Sequence, residues 1–201
     1  MLDDANVIQQ RDPEGALGIA ADQWQQVKYD AIVEDGDHDG RDVTKVVITG
    51  MGGSALAGLL AKALLEEELF IPFEVVRGYE LPTYVDAGTL VIASSYSGNT
   101  EETISALEQA RGRGAQIAVL AAGGKLVEVA KAEGIARVVL PGGMQPRMAM
   151  LANMRALVTL LVHFGVVSDT LNSDLAATAD WLHEQSAQWV PDVSTDKNDA
   201  K

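Results

Sequence analysis

Short β-branched runs alternate with Ala- and Leu-rich stretches along most of the chain. The runs predict strands over 45–49, 73–77, 89–94, 116–121 and 137–140. The stretches between them predict helices over 55–68, 100–113 and 125–133, then a long helix over 145–165. Pro146 fits that helix, because proline is tolerated in a first helical turn. Val46, Val47 and Ile48 stand in a row with no polar alternation, as expected of strands buried on both faces. Strands alternating with helices predict an α/β fold: a three-layer αβα sandwich around a five-stranded parallel sheet.

The flanks read differently. Leu17, Ile19, Trp24, Val27 and Ile32 supply the apolar positions of one or two helices within 12–33. Residues 35–42 form a polar, glycine-containing linker, and 78–88 a loop punctuated by Pro82 and Gly88. A final helix lies within 168–190, and 191–201 is a polar tail. The expected organisation is an N-terminal helical extension (1–43), an α/β domain (44–167), and a C-terminal helix with its tail (168–201).

Composition narrows the class. Of 201 residues, 47% are apolar, enough for a sizeable core, and none is cysteine, so disulfides and thiolate metal sites are excluded. No basic segment followed by an apolar run opens the chain, so no signal peptide is expected. The longest apolar candidate, 156–167, is too short for a membrane span and contains His163. A cytoplasmic, non-membrane protein is expected. The net charge of −14 is carried by the flanks: 11 acids and 3 bases in 1–43, and 7 acids and 2 bases in 168–201. Residues 44–167 are nearly neutral. An acidic chain without a basic stripe argues against nucleic acid, but leaves room for a local anion site built from backbone dipoles.

Two loops point to such a site. Gly50-Met51-Gly52-Gly53-Ser54 and Ser94-Ser95-Tyr96-Ser97-Gly98-Asn99-Thr100 each follow a strand run and precede a helix. Backbone N–H groups at such corners are free, and the helix dipole favours an anion. Small hydroxyl side chains add donors. Both loops belong to the carboxyl edge of a parallel sheet, where ligands bind. The first loop also fits the dinucleotide pattern G-x-G-x-x-G/A with Ala55 in third place, yet no acidic ribose partner stands about 20 residues on, since Glu74 opens the next strand. The second loop holds more hydroxyls than one helix cap needs. Glu101 and Glu102 follow in the first helical turn, where dipole complementarity accounts for them more simply than catalysis.

These motifs resemble the sugar isomerase (SIS) domain, whose fold is flavodoxin-like. More closely, they are similar to the N-terminal half of the bifunctional phosphoglucose/phosphomannose isomerase family. The matching segments are 50–54, Val76-Arg77-Gly78-Tyr79-Glu80-Leu81-Pro82, 95–103, Gly123-Gly124-Lys125-Leu126, and Pro141-Gly142-Gly143-Met144-Gln145-Pro146-Arg147. The resemblance assigns Gly53 and Ser54 to the first substrate loop and Ser95, Ser97 and Thr100 to the phosphate loop. It sets Arg147 against the sugar, where a guanidinium offsets charge on an enediolate.

The activity implied is aldose–ketose interconversion of hexose 6-phosphates, with no metal and no cofactor. The resemblance also implies a partner: a homodimer, or pairing with a second SIS domain. The family's general base, ring-opening histidine and late lysine lie in that second domain. No replacement is evident among His38 in the linker, His163 on an apolar helix, and His183 on the final helix. A phosphosugar-sensing module without catalysis is the alternative.

Overall fold

Five parallel strands form the body of the sheet in the computed structural model, which describes residues 2–37 and 40–201. They are β2 (Lys45–Thr49), β3 (Phe73–Val76), β4 (Thr89–Ser94), β5 (Gln116–Ala121) and β6 (Ala136–Val139). A sixth strand, β1 (Val33–Glu34), pairs antiparallel with β6 at one edge. The sheet is therefore six-stranded, against the five expected. The added strand is only two residues long, too short to leave a periodic signal. Tertiary contacts hold it in place. Arg137 of β6 is 5% exposed and donates to both Glu34 and Asp35.

The strand order is β1-β6-β5-β4-β2-β3. The first three parallel strands therefore lie side by side as β4-β2-β3. The chain reverses its direction of growth between β2 and β4. α4 (Gly52–Leu64) and α7 (Met150–His163) pack together on one face; α5 (Glu101–Gly112) and α6 (Gly124–Glu133) cover the other. Alternation sorts the side chains. Ile48 and Val75 meet α4 at Gly58, where an added Cβ would stand 3.2 Å from Val75, while Val47 and Val91 pack with Ala106 and Ala110 of α5. Every residue of β4 is buried, as its unbroken apolar run requires.

The helix expected over 145–165 begins with a 3-10 turn at Pro146–Met148, and α7 proper starts at Met150. Proline sets the first turn, but no side chain caps it, and the tighter hydrogen bonding of that turn takes up the slack.

The described chain forms two compact units. The sheet and its helices make up Asp30–Asn172, and residues up to Tyr29 join Ser173–Lys201 in the other. That second unit contains α1 (Ala5–Arg11), α2 (Ala16–Ala21), α3 (Gln23–Val27) and most of α8 (Thr170–Ser186). Asp4 caps α1, accepting from Asn6 and Val7 N–H, and Asp12 accepts from Ala16 and Leu17 at the start of α2. The polar tail, 191–201, is tied down by its own contacts. Asn198 is buried and donates to the Val190 carbonyl, and Lys201 and Thr195 both bond Asp3. Among the described residues, no helix is long and apolar enough to cross a membrane.

Candidate functional site

The carboxyl ends of β2 and β4 adjoin, and the chain leaves them in opposite directions, toward α4 on one face and α5 on the other. The two glycine-and-hydroxyl loops flank the crevice that this creates.

Close packing shapes the first loop. A Cβ on Gly50 would stand 2.7 Å from the Ser94 carbonyl oxygen, so glycine lets the ends of β2 and β4 approach. A Cβ on Gly53 would lie 2.8 Å from the Pro146 carbonyl oxygen and 3.0 Å from the Arg147 Cα. Gly53 thus brings the N-terminus of α4 against the turn that carries Arg147. Ser54 is buried, and its Oγ accepts the Tyr96 N–H at 3.1 Å, tying the first loop to the second.

The second loop is a cluster of hydroxyls bonded to one another. Ser95 Oγ stands 2.7 Å from Thr100 Oγ1 and 3.4 Å from Ser97 Oγ, and it accepts the Gly98 N–H at 3.2 Å. Ser97 Oγ accepts the Asn99 N–H. Thr100 is the N-cap of α5, but its side chain bonds Ser95 and makes no cap, so the first N–H groups of the helix keep no side-chain acceptor. Ser95 is 2% exposed, whereas Ser97 is open and Thr100 half-buried. Burial therefore separates the three: Ser95 holds the cluster from beneath, Ser97 is open to solvent, and Thr100 is partly covered. Free helix N–H groups beside hydroxyls are a cradle for a tetrahedral oxyanion.

Several groups that the sequence left without a role hold this cradle. Tyr96 is the one bulky side chain in a loop of small ones. Its hydroxyl donates to the Pro141 carbonyl at 2.7 Å and accepts the Met144 N–H at 3.1 Å, pinning the loop to the segment that leads to Arg147. Ser94 donates to Asn153 Oδ1 at 3.3 Å, joining the end of β4 to α7. Asn99 Oδ1 accepts the Lys125 N–H at 3.0 Å. The sequence signal for that bond was the lack of any capping side chain at Gly123-Gly124, which leaves α6 to be capped from elsewhere.

Arg147 is exposed on its 3-10 turn and makes no ion pair among the described residues. The segment 77–82 lies along α5: Gln109 and Ser105 donate to the Tyr79 carbonyl, and the Tyr79 hydroxyl donates to Glu101 at 3.3 Å. The charge of Glu102, with burial and Glu101 behind it, raises the Tyr79 phenol above its ordinary range, so it stays protonated.

The structure does not gather the histidines here. His163 ends α7, about 20 Å along the helix from its start near Arg147, and bonds the Gly36 carbonyl at 2.6 Å. His183 stacks on Trp24 at 4.4 Å in the terminal unit. His38 lies outside the described residues. Among the described residues, no group of three or more acidic or histidine side chains is placed to hold a metal.

A doubly wound sheet with hydroxyls, side-chain-uncapped helix N–H groups and an exposed arginine near its switch point has the layout in which α/β domains bind small anions. The SIS domain model matches residues 41–162, and the chain belongs to that family. Over 160 residues it is 43% identical to a bifunctional phosphoglucose/phosphomannose isomerase of Caldicellulosiruptor bescii, covering 80% of this chain and 47% of that protein. Over 127 residues it is 35% identical to a D-glucosamine-6-phosphate 4-epimerase of Sulfolobus acidocaldarius, covering 63% of this chain and 40% of that one. The C-terminal domain of glucosamine-fructose-6-phosphate aminotransferase from Francisella tularensis shares the fold, with a TM-score of 0.58 at 15% identity over 90% of this chain and 54% of its own. The chain spans about half or less of the length of the curated relatives it matches.

Proposed function

We propose that residues 44–167 bind a hexose 6-phosphate and form the substrate-binding half of a glucose-6-phosphate/mannose-6-phosphate isomerase. The observation that carries this reading is the cluster of Ser95, Ser97 and Thr100 at the side-chain-uncapped N-terminus of α5, on a loop tied through Tyr96 N–H and Ser54 Oγ to the loop whose Gly53 packs against Arg147. The phosphate sits on Ser97, Thr100 and the free helix N–H groups, with Ser95 and Ser54 behind them. The sugar then extends toward Arg147. Removal of the aldose C2 proton by a base gives an enediolate with negative charge on its oxygens; the hydroxyl proton passes from O2 to O1, return of the proton at C1 gives the ketose, and the reverse sequence regenerates the aldose. A fixed guanidinium stabilises that charge without a metal or a redox cofactor.

The base belongs to a second SIS domain in this reading, as do the ring-opening histidine and the late lysine. Association follows from it, either as a homodimer or with such a domain. Leu56 and Leu59 on α4 stand 42% and 41% exposed, and Trp181 and Trp189 in the terminal unit 60% and 47%, which supports an apolar partner. A cytoplasmic location accords with a chain of soluble-domain composition and no cysteine.

Calorimetric titration with glucose 6-phosphate and mannose 6-phosphate, beside a coupled isomerisation assay, tests the reading. The 201-residue chain is expected to bind both sugars and turn over neither at an appreciable rate, since loss of a general base alone costs about 10²–10⁴-fold. Activity appears when a second SIS domain is supplied. Binding that never leads to turnover in any pairing favours the sensing module, and failure to bind either sugar overturns both.

A further inference from the structure

The backbone of Gly123-Gly124-Lys125-Leu126 helps hold the hydroxyl loop, but its lysine side chain has no part in the site as described. Gly98 has φ +70°, and a Cβ there would stand 1.8 Å from the Gly123 carbonyl oxygen. Gly124 has φ +69°, and its Cβ would stand 2.4 Å from the Ser97 carbonyl oxygen and 2.7 Å from Asn99 Oδ1. Two hydrogen bonds close the clasp: Lys125 N–H to Asn99 Oδ1 and Leu126 N–H to the Gly98 carbonyl, each at 3.0 Å. The first turn of α6 is thus held against Ser97, Gly98 and Asn99. Those bonds occupy two N–H groups of its first turn, those of Lys125 and Leu126.

The Lys125 ammonium, by contrast, makes no ion pair or hydrogen bond among the described residues. Its side chain is exposed. It stands in the first turn of a helix, at the positive end of the dipole, where a cation is disfavoured. Lys131, in the last turn of the same helix, has the favourable placement. Glu101 and Glu102 open α5 at the end of the hydroxyl loop and oppose any anion bound there. Hydroxyls and helix N–H groups supply direction but no full charge, so a nearby cation would strengthen the hold of that cradle on a dianion.

We propose that Lys125 is a further anion-binding residue of this site, its ammonium reaching over residues 97–99 to pair with the phosphate of the bound sugar. The inference rests on the phosphosugar reading above. The backbone clasp fixes where the lysine stem starts, and the flexible stem lets the ammonium follow the phosphate without rigid geometry. It offsets the two glutamates of α5 and makes binding sensitive to salt.

The test is calorimetric titration of the 201-residue chain with glucose 6-phosphate and with inorganic phosphate, at low and at moderate ionic strength. Lys125→Gln is expected to weaken glucose 6-phosphate about five- to tenfold and to flatten the salt dependence. Lys125→Arg stays close to the parent chain, Lys131→Gln is unchanged, and all three melt as the parent does. Lys125→Gln binding like the parent, with the same salt dependence, while Ser97→Ala binds weakly, overturns the role of Lys125 and leaves the site standing. A parent chain that binds neither probe overturns the phosphosugar reading and this inference with it.

Discussion

The two ends of the parallel sheet treat their cations in opposite ways. At the amino end, Lys45 pairs with Asp86 at 2.8 Å, Arg41 donates to the Ala87 and Gly114 carbonyls, Arg113 donates to the Pro82 carbonyl, and Arg111 bridges Glu108 and Glu133. Lys62 and Lys131 stand in the last turns of α4 and α6, where the helix dipole welcomes them. At the carboxyl end, Arg77, Lys125 and Arg147 are exposed and make no ion pair among the described residues. The hydroxyls there bond one another, and Thr100 leaves its helix without a side-chain cap. One end is finished by its own contacts, and the other holds donors in reserve. Parallel sheets place every strand-to-helix corner, with its free N–H groups, on the same edge, so the proposed anion site lies at the unfinished end.

That contrast can be broken most forcefully at Gly98. Gly98→Ala puts a Cβ into the Gly123 carbonyl at a positive φ, and about 2–4 kcal/mol of stability should be lost together with phosphosugar binding. Urea melts read this, with Gly112→Ala as control, since nothing lies within 4 Å of a Cβ there. If Gly98→Ala melts like the control, the clasp between residues 97–99 and 123–126 is not tight.

Next comes Ser97→Ala, which should cost about 1–2 kcal/mol of glucose 6-phosphate binding and leave the melting temperature unchanged. The exposed Ser97 hydroxyl accepts only one local N–H, from Asn99. A thermal shift without a binding loss would move Ser97 from the site to the scaffold.

The smallest effect belongs to the finished end. A hydrogen bond from Lys45, helped by the Gly88 N–H and Thr89, holds the Asp86 carboxyl below its ordinary value. A lowered carboxylate contributes stability above its unfolded value, near 3.8, and loses it as pH falls through the folded one. Asp86→Asn should therefore lower the melting temperature slightly at pH 7, and the difference should vanish in acid. Sugar binding should not change. A difference that persists below pH 3 would mean that the side chain acts through packing and not charge.

How much of this could be read in the chain depends on the range of the forces involved. The five parallel strands, α5 and α6 emerge within a residue or two of their predicted bounds, because β-branched runs and amphipathic spacing act over a few neighbours. So do the two corners, whose glycines and hydroxyls are adjacent in sequence. Strand β1 was hidden: Val33 and Glu34 carry no pattern, and their pairing depends on Arg137, more than 100 residues away. The same holds within the site. Composition marks Ser95, Ser97 and Thr100 as candidates, but only packing decides that Ser95 lies underneath while Ser97 stays open.

The sequence alone determined the fold class, the family and the loops that could receive an anion, since each is set by local order along the chain. The tertiary structure alone decided which corners meet. Gly53 brings Arg147 to the first loop, Tyr96 pins the second, and Gly98 with Gly124 brings Lys125 beside it. Those meetings depend on missing Cβ atoms facing distant carbonyls and, at Tyr96, on a hydroxyl reaching the Pro141 carbonyl, and no neighbour in sequence records what either will face.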